Sequence, residues 1–376
     1  MVIYLDNNAT TFVRPEINEF MYSIYKYPYN ASSTHVYGRQ ARNLIEDSRA
    51  KIQQAIGDEK QNKYRIIFTS SGTEANNLVI QNYQSNYAIL VSAIEHSSIL
   101  KAVESSHNLQ FVEVDKQGLI KLNVLEEKLA ETVEKKLVSI MFANNETGVI
   151  QNIKSIAKLV HKYQGLIHCD AVQGFSKEKI DINDLDVDMM TISAHKCGGP
   201  IGAACLIAKT EIGLQPILVG GAQEYNMRAG TENIGAIAGF GKVAENINEN
   251  VIKMSYLKEL RDYMEERIVA YASDAYIASQ KAPRLSNTSC IIMPNMSSDT
   301  QLIHFDLAGI AIGNGSACTS GRTTKSHVLS ALGFDNKEAG CAIRVSLGTH
   351  NTLEEIEIFI QEWKTLYDRS KTSNIN

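Results

Sequence analysis

The chain predicts an α/β fold: a mostly parallel seven-stranded sheet, followed by a smaller α+β domain. Three observations lead there. Seven short apolar runs lie between residues 65 and 208. Longer amphipathic stretches separate several of them, such as Leu122–Lys135 and Ile153–Tyr163. Near-continuous apolar strands alternating with helices indicate a sheet covered on both faces. After about residue 240 the texture changes to a long charged helical stretch and then a Gly-rich run. At 376 residues, two domains are the default.

In order, the expected strands are Arg65–Thr69, Ala88–Ser92, Gln110–Val114, Leu137–Phe142, Leu166–Cys169, Met189–Ser193 and Ala203–Ala208. Val243–Ala270 is expected as one helix and Leu353–Tyr367 as the last, with the polar tail SKTSNIN frayed. Ligands bind beyond the carboxyl ends of the strands in such sheets. Polar clusters follow the strands: SSGTEANN, EHSS, NNETG, DAVQ and SAHKCGGP. One convergent site would draw on all five.

Composition excludes several classes. A hydrophobic fraction of 44% and a charged fraction of 21% are those of a globular protein. A net charge of -5 gives no basic footprint, so direct nucleic-acid binding is not expected. No segment has the apolar length to cross a bilayer, and MVIYLDNNATT lacks a leader's basic and apolar regions. Six cysteines occur singly, which fits a reducing cytoplasm and leaves a thiol available as a reagent.

Each cluster has a chemical reading and a plainer one. Ser71, Gly72 and Thr73 would place free N–H groups and a helix dipole at a phosphate, or Thr73 would simply cap the helix. His96 is either a loop histidine or an imidazole covering an aromatic cofactor and moving protons. Asp170 directly follows an apolar strand and needs a cation if buried; a protonated pyridine nitrogen would serve, and helix capping is the alternative. His168, Cys169 and Asp170 alternate between faces, so no metal is expected there. Lys196, flanked by Ser193 and His195, sits where desolvation would free an amine for imine chemistry. Cys318, in GNGSACTSG, is expected on an exposed, mobile loop, as a nucleophile or as an incidental linker residue. Arg344 offers a fork for a substrate carboxylate or for an internal ion pair, and Asn145 would add a hydrogen bond.

The order LDNNATT, FTSSGTEANN, IEHSS, ANNETG, HCDAVQ, SAHKCGGP, MRAGTEN, GSACTS and IRVSLG resembles the cysteine desulfurases. These form the NifS/IscS-like branch of the class V aminotransferase family, fold-type-I pyridoxal-phosphate enzymes with the aspartate aminotransferase-like fold. The resemblance runs from Tyr4 to the last helix. It implies a large cofactor-binding domain over 15–255, and a small C-terminal domain over 1–14 and 256–376 that carries the cysteine loop.

The resemblance also implies roles. Lys196 would hold pyridoxal 5'-phosphate as a Schiff base and move the Cα proton of L-cysteine. Asp170 would pair with the pyridine nitrogen, Gln173 with the ring phenolate oxygen, and His96 would stack on the ring. Ser71, Gly72, Thr73, Ser193 and His195 would hold the phosphate, joined by Thr231 from the other subunit of a homodimer. Asn145 and Arg344 would bind the substrate carboxylate. Cys318 would take the sulfur as a persulfide and pass it to an acceptor protein, releasing L-alanine. A selenocysteine lyase, another class V lyase and a non-catalytic sulfur-relay scaffold are the alternatives. The chain departs from the family pattern at Ile201 (commonly Lys), Tyr225 (Arg) and Ala31 (Pro).

Overall fold

A computed structural model describes residues 2–59, 63–314 and 325–372. In chain order its strands are β1 (Ile3–Tyr4), β2 (Tyr64–Thr69), β3 (Ala88–Ser92), β4 (Asn108–Val112), β5 (Lys136–Met141) and β6 (Leu166–Asp170). They continue with β7 (Met189–Ser193), β8 (Ala204–Lys209), β9 (Tyr276–Ile277), β10 (Thr288–Ile292), β11 (Ile310–Ala311) and β12 (Ala342–Ser346).

Seven of these build the main sheet in the order β2-β8-β7-β6-β5-β3-β4. Its neighbours from β7 to β4 are all parallel, while β8 runs antiparallel to both β7 and β2. Because only β8 is reversed, the carboxyl ends of β2, β3, β5, β6 and β7 share one edge. The segments that begin at Ser70, Ala93, Phe142, Ala171 and Ala194 therefore open on the same side of the sheet.

A second, antiparallel sheet has the order β12-β10-β9. The N-terminal strand returns to this region, with Ile3 opposite Ile310 and Tyr4 opposite Ala311. Leu5 accordingly packs in one apolar cluster with Leu257, Phe305, Ile343, Phe359 and Trp363. The N-terminal segment thus spans from the small sheet to the edge of the large one.

Several boundaries differ from expectation. The strand expected at Gln110–Val114 is Asn108–Val112, because Val114 instead bridges Ile120 across a turn. The fourth and seventh runs begin one residue away from expectation, at Lys136 and Ala204. The helix expected to Lys135 ends at Glu131. The stretch Val243–Ala270 is two helices, Ile234–Glu245 and Ile247–Tyr271, separated at Asn246. The first starts early because Asn233 caps it, and its glycines let it sit close: a Cβ at Gly241 would lie 2.6 Å from Ser48. Finally, Ser370 to Thr372 are not frayed. They belong to the last helix, Leu353–Thr372, where Ser370 is buried and Lys371 pairs with Asp274 at 2.5 Å.

Candidate active site

At the end of β2 the chain enters the helix Gly72–Tyr83. Ser71, not Thr73, is its cap, accepting from Glu74 N at 3.2 Å. Gly72 lets the helix start press on neighbouring strands: its missing Cβ would stand 3.0 Å from Val172 Cγ2 and 3.9 Å from Ser193 Cβ. Ser193 Oγ is buried there without a hydrogen-bond partner among the described residues. His195, at the same edge, is pushed down to about 4 by burial and by Lys196, so its ring is neutral at physiological pH. A buried, unpartnered hydroxyl beside a helix N-terminus suits an anion such as a phosphate.

Asp170 ends β6 and is buried. Its Oδ2 accepts from Asn76 Nδ2 at 2.8 Å and its Oδ1 from Val172 N at 3.0 Å. Both donors are neutral, and no cation pairs with Asp170 among the described residues. A buried carboxylate so placed has room in its electrostatics for a cation brought by a ligand. Asn76 also donates to Ser98 Oγ at 2.9 Å, and Ser98 N donates to His96 Nδ1 at 3.1 Å. The His96 Nδ1 is therefore an acceptor and its proton sits on Nε2. Burial holds the His96 pKa down; Lys196, His327 and Arg344 add to this, and Asp170 opposes it. Those four groups thus share one neighbourhood with His96. Asn76 escaped sequence reasoning, although a polar residue between buried Ala75 and Leu78 was a signal.

Lys196 follows β7 in a single 3-10 turn. Its Nζ donates to the carbonyl oxygens of Asn8 and Ala9, at 2.6 Å each. Burial and then Arg344 lower it to about 8, against the pull of Asp6 and Asp170. Gln173 Nε2 donates to the same Asn8 carbonyl at 3.0 Å. A second amine, the buried Lys177, donates to Gln173 Oε1 and Asn8 Oδ1, at 2.7 Å each. Neither Asn8 nor Lys177 was singled out from the sequence. Only the approach of the N-terminal segment gives them their role.

Arg344, on β12, makes the internal ion pair that its sequence context allowed: Nη2 lies 2.6 Å from Asp6 Oδ1. Its Nη1 donates to the main-chain oxygen of Asn145 at 3.2 Å, and its Nε is buried without a partner among the described residues. Asn145 thus meets Arg344 through its carbonyl. The loop's side-chain work falls to Asn144, whose Oδ1 accepts from Glu146 N and Thr147 N at 2.9 Å each. Gly313 makes space for the pair, since a Cβ would stand 2.7 Å from Asp6 Oδ1 and 2.8 Å from Arg344 Nη2.

Ser71, Gly72, Thr73, His96, Asn145, Asp170, Gln173, Ser193, His195, Lys196 and Arg344 lie on the segments gathered at this edge. Thr231 is exposed on the segment after Arg228, which Glu74 anchors at 2.8 Å. Cys318 lies outside the described residues. The next described residues are tied to the site: Ser326 Oγ donates to Glu146 Oε2 at 2.5 Å, and His327 Nε2 lies 2.9 Å from the Glu95 carbonyl. Of the departures, Ile201 is exposed and Ala31 buried, while Tyr225 has a left-handed backbone (φ 58°) with Arg49 and Arg65 over its ring.

The aminotransferase class-V family model matches residues 3–359. A cysteine desulfurase IscS of Dictyoglomus turgidum is 35% identical over 98% of this chain and 95% of its own length. Cysteine desulfurase IscS 1 of Archaeoglobus fulgidus is 34% identical, covering 91% of each chain. The X-ray structure of a NifS-like protein from Rickettsia africae superposes with a TM-score of 0.92 at 42% identity, over 98% of this chain and 100% of that one.

Proposed function

Because the chain belongs to the aminotransferase class-V family, we propose that it is a pyridoxal-phosphate-dependent cysteine desulfurase that converts L-cysteine to L-alanine. The observation that carries the reading is that one site holds a half-buried amine of lowered pKa, Lys196, and a buried carboxylate, Asp170, whose donors are neutral. A pyridoxal ring needs both: an amine for its aldehyde and a carboxylate for its protonated nitrogen. Gln173 would hold the phenolate oxygen and His96 would cover the ring. Ser71, Gly72, Thr73, Ser193 and His195 would hold the phosphate. When bound, pyridoxal phosphate supplies the electron sink that acidifies Cα of an amino acid.

The chain's own residues do the rest. With a pKa of about 8, Lys196 carries a free amine in roughly a tenth of molecules at pH 7. Lys196 would hold the cofactor through its aldehyde and, once released, would move the Cα proton of the substrate. The Arg344 fork, with Nε unpartnered, would receive the substrate carboxylate beside Asn145. The Cys318 thiolate attacks the substrate sulfur: an S–S bond forms, the Cβ–S bond breaks, and its electron pair and a proton complete the methyl of alanine. The persulfide then passes to an acceptor protein serving iron–sulfur cluster assembly, tRNA thiolation or cofactor synthesis.

The same reading includes a cytoplasmic homodimer in which Thr231 reaches the partner's phosphate site. It also includes a large domain over 15–255 and a small one over 1–14 and 256–376. The five described cysteines are unpaired thiols, which supports a reducing compartment. No helix among the described residues is long and apolar enough to cross a membrane.

Mass spectrometry after incubation with L-cysteine tests the reaction. A gain of one sulfur on the peptide carrying Cys318 is expected. If Cys318→Ala still released alanine and sulfide at the wild-type rate, the protein would be a lyase that needs no acceptor thiol.

A further inference from the structure

Lys177 is 5% exposed and pairs with no carboxylate among the described residues. Burial holds its pKa well below the usual lysine range; Lys196 and Arg344 push the same way, and the Cys197 thiol opposes them. An amine buried at this cost and neutralising no acid is placed for its donors. Either protonation state retains the two N–H groups that its contacts use.

Both contacts are to side-chain amides, whose two ends exchange donor and acceptor when the group turns over. Lys177 faces an oxygen of each: Gln173 Oε1 and Asn8 Oδ1, at 2.7 Å. The far ends agree. Gln173 Nε2 meets the Asn8 carbonyl at 3.0 Å, and Asn8 Nδ2 meets the Asn145 carbonyl at 3.2 Å, so nitrogen must face each of those acceptors. The Asn8 carbonyl also accepts from Lys196 Nζ at 2.6 Å. The Gln173 NH2 and the Lys196 amine therefore converge on one oxygen.

We propose that Lys177 is a positioning residue that, by donating to Gln173 Oε1 and Asn8 Oδ1, locks the Gln173 amide with its NH2 turned toward Lys196 and toward the phenolate oxygen of bound pyridoxal phosphate. The inference rests on the cofactor reading above. With NH2 forward, the phenolate gains an N–H donor, and the nitrogen joining Lys196 to the cofactor releases its proton at lower pH. Turned over, the amide would oppose one negative oxygen with another.

The test is the pH midpoint of the visible absorbance of the pyridoxal-phosphate-loaded protein. Lys177→Met is expected to raise it by about half a unit or more, and Lys177→Gln, which restores an N–H donor, to bring it back toward wild type. Loss of a nearby cation would also raise the midpoint, so the variants are combined. Gln173→Ala alone should raise it, and Lys177→Met should add nothing further in that background. An equal shift with and without Gln173 would mean that Lys177 acts only as a remote charge, and the proposal would fall. No shift in Gln173→Ala would instead overturn the contact between Gln173 and the cofactor. If Lys177→Met does not fold, Lys177→Ser runs the same cycle with a smaller, polar side chain.

Discussion

Asp170→Asn separates two effects that most substitutions in a site confound, namely fold stability and affinity for the cofactor. The carboxylate is buried, and it accepts from Asn76 Nδ2 at 2.8 Å and from Val172 N at 3.0 Å. Asparagine keeps the shape and an oxygen for Val172, but it turns an NH2 toward Asn76. Asn76 can answer by turning over. Its Oδ1 is buried and unpartnered among the described residues, and would come to accept from the new NH2. The Ser98 hydroxyl, now accepting from Asn76 and 2.8 Å from His96 Nδ1, can swing its proton from that nitrogen to Asn76, and His96 Nδ1 keeps the Ser98 N–H. One orphaned amide atom replaces another, and a buried charge is gone. The cofactor-free variant should therefore match the wild type within about 1 kcal/mol.

Binding should respond differently. A hydrogen bond to a charged partner contributes about 1.5–3 kcal/mol, so losing the bond to a protonated ring nitrogen weakens binding about 10- to 150-fold. At a fixed excess of pyridoxal phosphate, the stabilisation by ligand falls by the same amount. Denaturant unfolding with and without pyridoxal phosphate reads both quantities. Loss of stability in the cofactor-free protein with ligand stabilisation intact would refute the reasoning, because Asp170 would then be serving the fold.

Other expectations are as follows. The rate at which cofactor-free protein takes up pyridoxal phosphate should rise about tenfold per pH unit below about 8 and level off above it, following the free Lys196 amine. Arg344→Gln should move that midpoint upward, and an unmoved midpoint would show that the two cations do not communicate. Burial pushes the Glu146 carboxyl up to about 7, against its bond from Ser326 and the charge of Arg344. A raised carboxyl contributes stability that is whole below about 4.5 and lost as pH climbs to about 7. Glu146→Gln should thus flatten the stability curve in that window by about 3 kcal/mol, whereas parallel curves would contradict the assignment. Gly313→Ala places a methyl within 2.8 Å of Asp6 and Arg344, and should raise KM for L-cysteine by about tenfold with little change in kcat.

The parts of this molecule that a linear pattern describes were legible in the sequence. Met189–Ser193 and Ala88–Ser92 are mainly apolar runs, because strands covered on both faces bury every side chain. The direction of β8 was not legible, since an apolar run looks the same in either sense. Nor was the break at Asn246, because the charged residues on either side of it continue at helical spacing. Within the site, Lys196, Asp170 and Arg344 stood out as charges inside apolar company. Asn8, Asn76 and Lys177 did not, because their meaning is pairwise. An amide's role is set by what faces each of its ends, and those neighbours are distant in sequence.

The N-terminal segment shows why such residues matter together. β1 pairs with β11 and Asp6 bridges Ser346 of the small sheet, yet Asp6 also pairs with Arg344, and the carbonyls of Asn8 and Ala9 hold Lys196. Asn8 also meets Thr288 on β10 and Lys177 after β6, so one side chain joins both sheets beside the reactive amine. When the lysine engages an aldehyde it must leave two carbonyl acceptors, which favour its charged form over the free amine. Burial and Arg344 act in the opposite sense and bring the amine to about 8. The readiness of Lys196 to react is therefore a balance between the segment that holds it and the arginine that repels it. A substrate carboxylate seated on Arg344 would weaken that repulsion and tip the balance toward the charged lysine. Binding of a carboxylate analogue to the cofactor-free protein should consequently raise the Lys196 midpoint, and an unchanged midpoint would place the carboxylate somewhere other than Arg344.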